Sequence, residues 1–501
     1  MDSVQTVAAV ASPPSADAIK KLPEAVSWLQ IRADLTGDVP AAWLRNHFPG
    51  NLLYSLRSRS CAGTFDGSWD ERRSRLMAAS SSYDLIELEA ESDLSPEMLG
   101  RIPPEKRLIF QRTPASSASQ LCASFAQLAS TPARFYYLAS VSSKTSDGLQ
   151  PLLFLKELGR RDVVALSEGL CGLWSRLLTP YFGAPFLFGR LEASREADDL
   201  TVEQLVSDYG FPALRPLEKL YGIAGNPVWQ SLSPRLHNAG YRAINYPALF
   251  VPFHVECFED FHREILEGPL LPSLGIPIRG ATIVSPYKEV AAAAAEQSTS
   301  MVRKAASTNI FVRKNGRWKA DTTDPESVAV VNGSRKRAKA AVIGCGGAGR
   351  AVAAALKDAG AEVTLVNRSM DRGNRAGTLL GLPFVALSQF QAQGFTLLVN
   401  ATPIGKLNDG PPFAIESLNS DAVIIDLAYG ANPTPLVSGI LARGGTVVDG
   451  YDVLLSQVRK QFRLMVGREM PHVIGRELAL RGLANVNMKG VRMEAVASTL
   501  I

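Results

Sequence analysis

A glycine-rich turn between an apolar strand and an alanine-rich helix constrains the fold of this chain more than any other feature. The segment AAVIGCGGAGRAVAAALKDAGA covers residues 340–361 and contains the pattern G-x-G-x-x-G at Gly344, Gly346 and Gly349. In such a pattern the first glycine permits a tight turn, the second lets the backbone approach a pyrophosphate, and the third lets helix and strand pack closely. Free N–H groups at the helix N-terminus favour phosphate. The sequence therefore predicts a dinucleotide-binding domain of the Rossmann type.

The end of the following strand indicates which dinucleotide is bound. Residues 362–366 read as a strand that ends at Asn367 and Arg368, with Arg372 one turn later. An NAD enzyme usually has Asp or Glu there to hold the ribose hydroxyls. A guanidinium suits a 2′-phosphate instead, through charge-assisted bidentate bonds. We therefore predict NADP as the cofactor; the alternative is that the glycines only shape a turn and the arginines are solvated.

Composition excludes several other classes of function. The 501 residues carry a net charge of only +5, without a basic stripe interleaved with aromatic residues, so we expect no nucleic-acid partner. Five cysteines lie far apart without a C-x-x-C pair, which argues against a disulfide framework and against a metal site. A reducing, cytoplasmic location fits this cysteine usage. No apolar run is long enough for a membrane helix, so we expect no membrane partner.

The first part of the chain alternates short apolar runs with helical stretches between residues 24 and 205, whereas residues 1–23 read as a loose tail. Seven runs read as strands: Trp28–Ile31, Leu52–Ser55, Leu85–Leu88, Leu108–Phe110, Phe135–Ala139, Val163–Leu166 and Phe186–Phe188. Seven or eight such strands separated by helices predict a (β/α)8 barrel.

The second part predicts a two-domain α/β unit. Residues 218–328 form an α/β substrate-binding segment, and a charged crossover leads to the Rossmann domain at 338–450. Residues 451–501 read as helices that return to the substrate-binding segment. The fold class is therefore α/β throughout, with a barrel followed by two further domains.

Six segments in this second part, in order and in register, resemble the shikimate dehydrogenase family. They are GNPVWQSLSPRLHN at 225–238, GATIVSPYKE at 280–289, ADTTD at 320–324, VNATPIG at 399–405, DLAY at 426–429 and DGYDVLLSQVRKQF at 449–462. The resemblance implies NADPH-dependent, reversible reduction of 3-dehydroshikimate to shikimate in chorismate and aromatic amino-acid biosynthesis. Its partner is then a small-molecule substrate, and the oligomeric state stays open.

The resemblance also assigns roles to individual residues. Hydride transfer to a ketone builds negative charge on oxygen, which a positioned ammonium stabilises. The catalytic residues implied are Lys288 and Asp324. The substrate-binding residues implied are Ser231, Ser233, Thr308, Tyr429 and Gln457. The cofactor-binding residues implied are Gly344, Gly346, Gly347, Ala348, Gly349, Asn367, Arg368, Arg372, Thr402, Leu427 and Gly450.

Departures from the family pattern leave the substrate open. Val284 replaces the usual Thr of the lysine segment, Thr282 and Thr308 stand where Asn is expected, and Thr322 replaces the Asn of N-T-D. Each unpaired polar group of a polyhydroxylated substrate would cost on the order of 1–3 kcal/mol. Quinate or a related cyclic hydroxy acid is therefore an alternative substrate. A non-catalytic protein that binds NADP or a metabolite is the alternative outside enzymes.

The barrel resembles type I 3-dehydroquinate dehydratase, through LQIRAD at 29–34, DLIELE at 84–89 and GLWSRLLTPYFG at 172–183. That family uses a Schiff-base lysine and a proton-transferring histidine. Tyr137 stands where the lysine is expected, and no histidine lies between His47 and His237. We therefore predict a barrel without dehydratase activity, retained as a scaffold. The alternative is a binding site for a pathway acid, built from the remaining residues Arg32, Arg57, Glu89 and Arg176.

Overall fold

The computed structural model describes residues 4–192, 199–228, 230–329, 338–405, 410–430 and 433–481. The chain divides into two compact units, Met1–Pro286 and Tyr287–Ile501. This boundary lies inside the predicted substrate-binding segment 218–328, because the first part of that segment packs on the barrel. Among the described helices, none is both long and apolar enough to cross a membrane. The crossover at 330–337 and the predicted helical end beyond residue 481 lie outside the described residues.

Eight parallel strands form the nearly closed barrel of the first unit. Their hydrogen-bonded order is β7-β6-β5-β4-β3-β2-β1-β8. The strands are β1 (Gln5–Val10), β2 (Val26–Arg32), β3 (Asn51–Ser55), β4 (Leu85–Glu89), β5 (Arg107–Thr113), β6 (Phe135–Val141), β7 (Val163–Glu168) and β8 (Phe186–Arg190). The accompanying helices are α1 (Ala16–Lys20), α2 (Ala33–Thr36), α3 (Ala41–Arg45), α4 (Trp69–Ser80), α5 (Pro96–Arg101), α6 (Ala118–Leu128), α7 (Leu149–Leu158) and α8 (Leu173–Arg176). The seven predicted strands are all present.

The eighth strand, β1, corrects the expectation of a loose tail at residues 1–23. Residues 5–10 pair in parallel with both β2 and β8. Val7, Ala8 and Val10 are buried on the two faces of this strand, as a central barrel strand requires. The short, alanine-containing run offered too little apolar bulk to be recognised from the sequence alone.

Side chains fill the barrel interior, as in other eight-stranded barrels of this size. The interior cluster includes Trp28, Phe110, Phe135, Tyr137 and Phe186, all buried. Aromatic rings meet edge to face or tilted, for example Phe110 and Tyr137 with centroids 5.0 Å apart. The centre of the barrel is therefore a packed core.

The first unit continues beyond the barrel with three parallel strands, in the order β10-β9-β11. The elements are α9 (Val202–Ser207), β9 (Lys219–Gly225), α10 (Ser233–Ala243), β10 (Ala248–His254), α11 (Phe258–Phe261), α12 (Leu270–Ser273) and β11 (Ile278–Ile283). Within this segment, Arg235 Nε donates to Asp208 Oδ1 at 2.7 Å. A polar contact also fixes the segment to the barrel, where Lys144 Nζ lies 3.0 Å from Glu264 Oε2.

The second unit begins with a small sheet in which β14 pairs with β13 antiparallel and with β12 in parallel. Its elements are α13 (Lys288–Ala294), β12 (Gln297–Ser298), α14 (Ser300–Ala305), β13 (Ile310–Lys314), β14 (Arg317–Asp321) and α15 (Glu326–Ala329). These short elements present Lys288 at the start of a helix and Asp324 just after a strand.

A six-stranded parallel sheet then follows in the order β17-β16-β15-β18-β19-β20. This is the doubly wound order 3-2-1-4-5-6 of dinucleotide-binding domains, with its switch point between β15 and β18. The elements are β15 (Lys339–Ile343), α16 (Gly347–Asp358), β16 (Glu362–Asn367), α17 (Met370–Leu380), β17 (Phe384–Ala386), β18 (Leu397–Asn400), β19 (Val423–Asp426), α18 (Pro435–Leu441), β20 (Thr446–Val448), α19 (Gly450–Val466) and α20 (Arg476–Leu480). The Rossmann prediction is confirmed.

Candidate active site

Lys288 and Asp324 form an ion pair in the second unit. The Lys288 ammonium lies 2.9 Å from Asp324 Oδ1 and 2.8 Å from Oδ2. The carboxylate is 2% exposed and the lysine side chain 16%, so the pair is largely shielded while the ammonium keeps some access. Among the described residues, Asp324 accounts for all of the hydrogen bonds of this ammonium, and a lysine has three N–H donors. A hydrogen-bond donor is thus left for a further acceptor.

Two amides fix the Asp324 carboxylate. Asn309 Nδ2 donates to Asp324 Oδ1 at 3.1 Å, and Gln457 Nε2 donates to the same oxygen at 3.3 Å. The predicted residue Gln457 is thereby brought to the ion pair. Asn309, the neighbour of Thr308, was not predicted from the sequence. Its amide orients Asp324 because its own oxygen accepts from Thr323 N at 2.8 Å.

Thr308, which is predicted to bind substrate, lies just before β13. Its hydroxyl is fully buried and donates to the backbone oxygen of Asp321 at 2.6 Å. Its backbone N–H donates to Lys288 O at 3.0 Å. The hydroxyl therefore joins the segment before β13 to the end of β14, and the backbone N–H of Thr308 holds the carbonyl of Lys288.

Ser231 and Ser233 lie in the first unit, at the start of α10. The Ser233 N–H donates to Ser231 Oγ at 3.2 Å, and Ser233 is buried. His237, one turn later, is fully buried and its ring stacks on Phe250 at 4.2 Å. His237 is therefore part of the packed interior of this segment.

The glycine-rich turn has the geometry that its sequence predicted. Gly344 has φ +107°, a conformation that a residue with a Cβ rarely adopts. A Cβ on Gly349 would collide with the Gly344 carbonyl, whereas the space around Gly346 is open. Helix α16 begins at Gly347 and includes Ala348, so the open side of the turn faces free N–H groups of a helix N-terminus.

The turn also touches the lysine. A Cβ added to Gly347 would lie 3.1 Å from Lys288 Cβ and 3.2 Å from Lys288 Cδ. Arg350, buried in α16, donates from Nε to Ala305 O at 2.8 Å and from Nη1 to Glu289 Oε1 at 3.0 Å. Neither Arg350 nor Glu289 belongs to a motif that the sequence predicts to be functional. They join the cofactor turn to the helix that carries Lys288.

The strand end expected to hold a 2′-phosphate carries one exposed and one paired guanidinium. Asn367 Oδ1 accepts from Cys345 N at 3.2 Å, which ties this strand end to the turn. Arg368 is exposed. Arg372 Nη2 donates to Glu289 Oε1 at 3.0 Å, and the guanidinium groups of Arg350 and Arg372 lower the pKa of Glu289 against the opposing effect of burial.

The remaining predicted residues line the ends of β18 and β19. Thr402 donates to Asn400 Oδ1 at 2.6 Å, and Leu427 N donates to Asn400 O at 2.9 Å. Asn400 Nδ2 reaches Asp426 Oδ1 at 2.9 Å. Burial raises the pKa of Asp426, and hydrogen bonds from the Thr434 hydroxyl, the Ala428 N–H and the Asn400 amide oppose that effect. This buried network shapes the switch point of the sheet.

Tyr429 and Gly450 lie together at the start of α19. A Cβ on Gly450 would collide with Ala428 O and lie 2.8 Å from Tyr429 Cβ, so a glycine is needed for this close approach. The Tyr429 and Tyr451 rings are 5.7 Å apart. The second unit therefore collects Lys288, Asp324, Gln457 and all the predicted cofactor residues into one body.

The barrel residues that could have bound an anion are neutralised internally. Arg57 Nε donates to Glu87 Oε1 at 2.6 Å, beneath the rings of Phe110 and Tyr137. Arg32 forms a bidentate pair with Asp34, Arg176 pairs with Asp199, and Glu89 accepts from Ser58 and lies 3.3 Å from Arg72. Burial raises the pKa of Tyr137, so the phenol is neutral.

Known proteins match both parts of the chain. The type I 3-dehydroquinase family matches residues 8–214, and the shikimate dehydrogenase substrate binding domain matches residues 223–311. A chloroplastic bifunctional 3-dehydroquinate dehydratase/shikimate dehydrogenase of Arabidopsis thaliana is 24% identical, over 94% of this chain and 84% of its own length. A shikimate dehydrogenase (NADP(+)) of Halobacterium salinarum is 34% identical, over 52% of this chain and 98% of its own. The crystal structure of shikimate 5-dehydrogenase from Thermus thermophilus, in complex with NADP(H) and shikimate, aligns with 28% identity and a TM-score of 0.47, over 52% of this chain and 98% of that chain.

Proposed function

This chain belongs to the shikimate dehydrogenase family, and from that premise we propose that it catalyses the NADP-dependent, reversible reduction of 3-dehydroshikimate to shikimate. One observation carries the proposal: the Lys288 ammonium lies within 2.9 Å of both Asp324 oxygens, and Asn309 and Gln457 fix that carboxylate. A lysine held in this way is a preorganised donor. The product would serve the synthesis of chorismate and aromatic amino acids.

The residues of the second unit fit NADP. The open space at Gly346 and the free N–H groups at the start of α16 suit a pyrophosphate. Arg368 and Arg372 suit a 2′-phosphate, and an acidic residue at the end of β16 is replaced by Asn367. The residues that would hold the cofactor are the predicted set, supported by Arg350 behind the turn. When bound, NADPH supplies the hydride.

In the proposed mechanism, Lys288 donates a proton to the carbonyl oxygen of the substrate as negative charge develops there. Asp324 keeps the ammonium oriented through two hydrogen bonds and accepts a hydrogen bond from the neighbouring substrate hydroxyl. Such general acid catalysis contributes roughly 10²–10⁴-fold to a rate. Ser231 and Ser233 are proposed to hold the substrate carboxylate.

The first experiment measures NADP⁺ reduction with shikimate and, separately, with quinate, on the wild type and on Lys288→Ala. Turnover with shikimate that is lost in Lys288→Ala supports the proposal. Preference for quinate would transfer it to a related cyclic hydroxy acid, an alternative favoured by the internal use of the Thr308 hydroxyl. Tight NADPH binding without turnover on either acid would refute the enzyme and favour a binding protein.

For the barrel we propose a scaffold without dehydratase activity. The supporting observation is the buried Arg57–Glu87 pair, in which Arg57 bonds Glu87 through Nε and Nη2 and lies against the rings of Phe110 and Tyr137. None of the eight barrel strands β1 to β8 contains a lysine that could form a Schiff base. Incubation with 3-dehydroquinate tests this: no 3-dehydroshikimate should form, and formation of product at an enzymatic rate would refute the proposal.

We also propose a cytoplasmic location and no nucleic-acid partner, on the free cysteines and the small net charge of +5. The Arabidopsis thaliana relative is described as chloroplastic. Localisation of the tagged full chain in its native cell decides between the two compartments.

A further inference from the structure

Three side chains that commonly bind metals meet in the first unit, where the barrel packs on β10. One ligand atom each of Cys171, His254 and Glu256 lies within 4.8 Å of the other two. Cys171 belongs to the short 3-10 helix Leu170–Gly172 after β7, and His254 is the last residue of β10. Residues 254 and 256 are two apart, so in extended chain they share one side.

One ring nitrogen of the buried His254 has no hydrogen-bond partner among the described residues. His254 is 5% exposed, and its Nε2 lies 2.8 Å from Glu256 Oε1. Its Nδ1 is buried and has no hydrogen-bond partner among the described residues. A neutral imidazole that donates from Nε2 carries a bare lone pair on Nδ1. A buried lone pair without a partner is costly, and metal coordination is one way to satisfy it.

The cysteine and the glutamate complete the ligand set. Cys171 is buried, and its thiol makes only a long contact of 3.7 Å with Ser143 O among the described residues. Glu256 is exposed, so the cluster can be reached from solvent. Sulfur, imidazole nitrogen and carboxylate oxygen together are the ligands that Zn²⁺ accepts at tetrahedral sites.

We propose that Cys171, His254 and Glu256 bind one Zn²⁺, or a divalent cation of similar softness, with water in the fourth position. Cys171 and His254 are ligands, and Glu256 is either the third ligand or the carboxylate that orients the ring. The ion joins a barrel loop to β10 and so acts as a structural cross-link rather than in hydride transfer.

The surroundings already hold these elements in place. Thr145 donates from its hydroxyl to His254 O at 2.7 Å, and Trp174 Nε1 donates to Thr145 O at 2.9 Å. The Trp174 and Phe253 rings lie 5.1 Å apart. Because these contacts already hold the barrel against β10, metal binding requires little rearrangement of the ligands. Binding must release the thiol proton, so affinity should rise with pH.

Cobalt titration of the tag-free full chain under reducing conditions tests the site. The wild type should take up one Co²⁺ with a thiolate-to-cobalt charge-transfer band, and Zn²⁺ should displace it and raise the thermal midpoint. Cys171→Ser should lose the band. Cys257→Ser is the matched control, because Cys257 is exposed and lies three residues from His254 outside the cluster.

Glu256→Gln provides a variant at an exposed position, in case Cys171→Ser fails to fold. We expect it to weaken Co²⁺ binding by roughly 10–100-fold, as loss of an outer or inner carboxylate does elsewhere. Circular dichroism and NADPH binding verify the fold of each variant. A wild type without the band, a band that persists in folded Cys171→Ser, affinity unchanged in Glu256→Gln, or loss of the band in Cys257→Ser would each overturn the proposal.

Discussion

The two units each bury a cation against a carboxylate, at Arg57–Glu87 and at Lys288–Asp324, yet the surroundings of the two pairs differ. Phe110 and Tyr137 cover the Arg57 guanidinium, which is 9% exposed on its side chain. Lys288 is 16% exposed and lies beside a turn shaped for a cofactor. An ion pair closed by aromatic rings stabilises a core, whereas an ion pair with an accessible donor can act on a substrate.

The largest effect is expected on activity, from a substitution in the Lys288–Asp324 pair. Asp324→Asn removes the charge that orients the ammonium, so kcat for shikimate oxidation should fall on the order of 10²–10⁴-fold. Steady-state kinetics with NADP⁺ measure it. Asp358→Asn is the control, because Asp358 forms an exposed pair with Lys304 in the same unit. Equal losses in the two variants would contradict the special role of Asp324.

A substitution in the Arg57–Glu87 pair should change the stability of the protein and not its activity. Arg57→Met leaves Glu87 buried without its partner, so the free energy of unfolding should fall by roughly 3–5 kcal/mol. Chemical denaturation measures this loss, and kcat of the folded dehydrogenase should stay unchanged. The matched control is Arg59→Met in the exposed pair with Asp66, which should cost about 0.5 kcal/mol or less. A lower kcat of Arg57→Met under conditions where the variant is fully folded would contradict a purely stabilising role for this pair.

A substitution of Arg368 tests which cofactor the second unit binds. Arg368→Ala should raise KM for NADPH by roughly 10-fold or more, because a hydrogen bond to a charged group contributes about 1.5–3 kcal/mol. KM for NADH should not change, since NADH lacks the 2′-phosphate. Arg375→Ala, at an exposed position paired with Asp371, is the control. An equal change for both cofactors would contradict the assignment.

The smallest effect is expected at the contact between the barrel and α11–α12. Ser146, Arg263 and Lys144 lower the pKa of Glu264 to about 2, from an ordinary 4.5. Because the folded-state pKa is depressed, the contact stabilises the fold above about pH 4.5 and loses this effect as the pH falls toward 2. Glu264→Gln should lower the thermal midpoint slightly at pH 7, by less than about 1 kcal/mol in stability.

The difference from the wild type should shrink between pH 5 and pH 3, measured by thermal unfolding. Glu157→Gln, on the exposed side of α7, should show no such pH dependence. A constant difference across this range would contradict the ion pair as its source.

Strands with bulky apolar runs were predictable because their periodicity is local. Seven barrel strands and the strand–turn–helix at 339–358 follow from such runs. The prediction of a loose tail at residues 1–23 was wrong for β1. The run QTVAAV is buried by two neighbouring strands, and the sequence does not reveal that pairing. The compact-unit boundary at 286 likewise depends on contacts between the barrel and residues 219–283.

The site was predictable where a motif exists and not where contacts are long-range. A lone Lys288 or Asp324 carries no pattern of its own and was assigned by resemblance. In the sequence, Arg350 and Glu289 are indistinguishable from other charged helix residues, and only the structure shows the contact between them. Thr308 was also assigned by resemblance, and a sequence cannot show that its hydroxyl bonds to Asp321 O.

The close approach of Gly347 to Lys288 has a consequence for protein engineering. With Lys288 Cβ and Cδ within 3.2 Å of an added Cβ, a substitution in the turn pushes on the lysine. A library that randomises the turn to exchange one nicotinamide cofactor for another therefore also samples the placement of the proton donor. Selection for cofactor preference alone would recover inactive clones, and residues 288 and 347 are best varied as a pair.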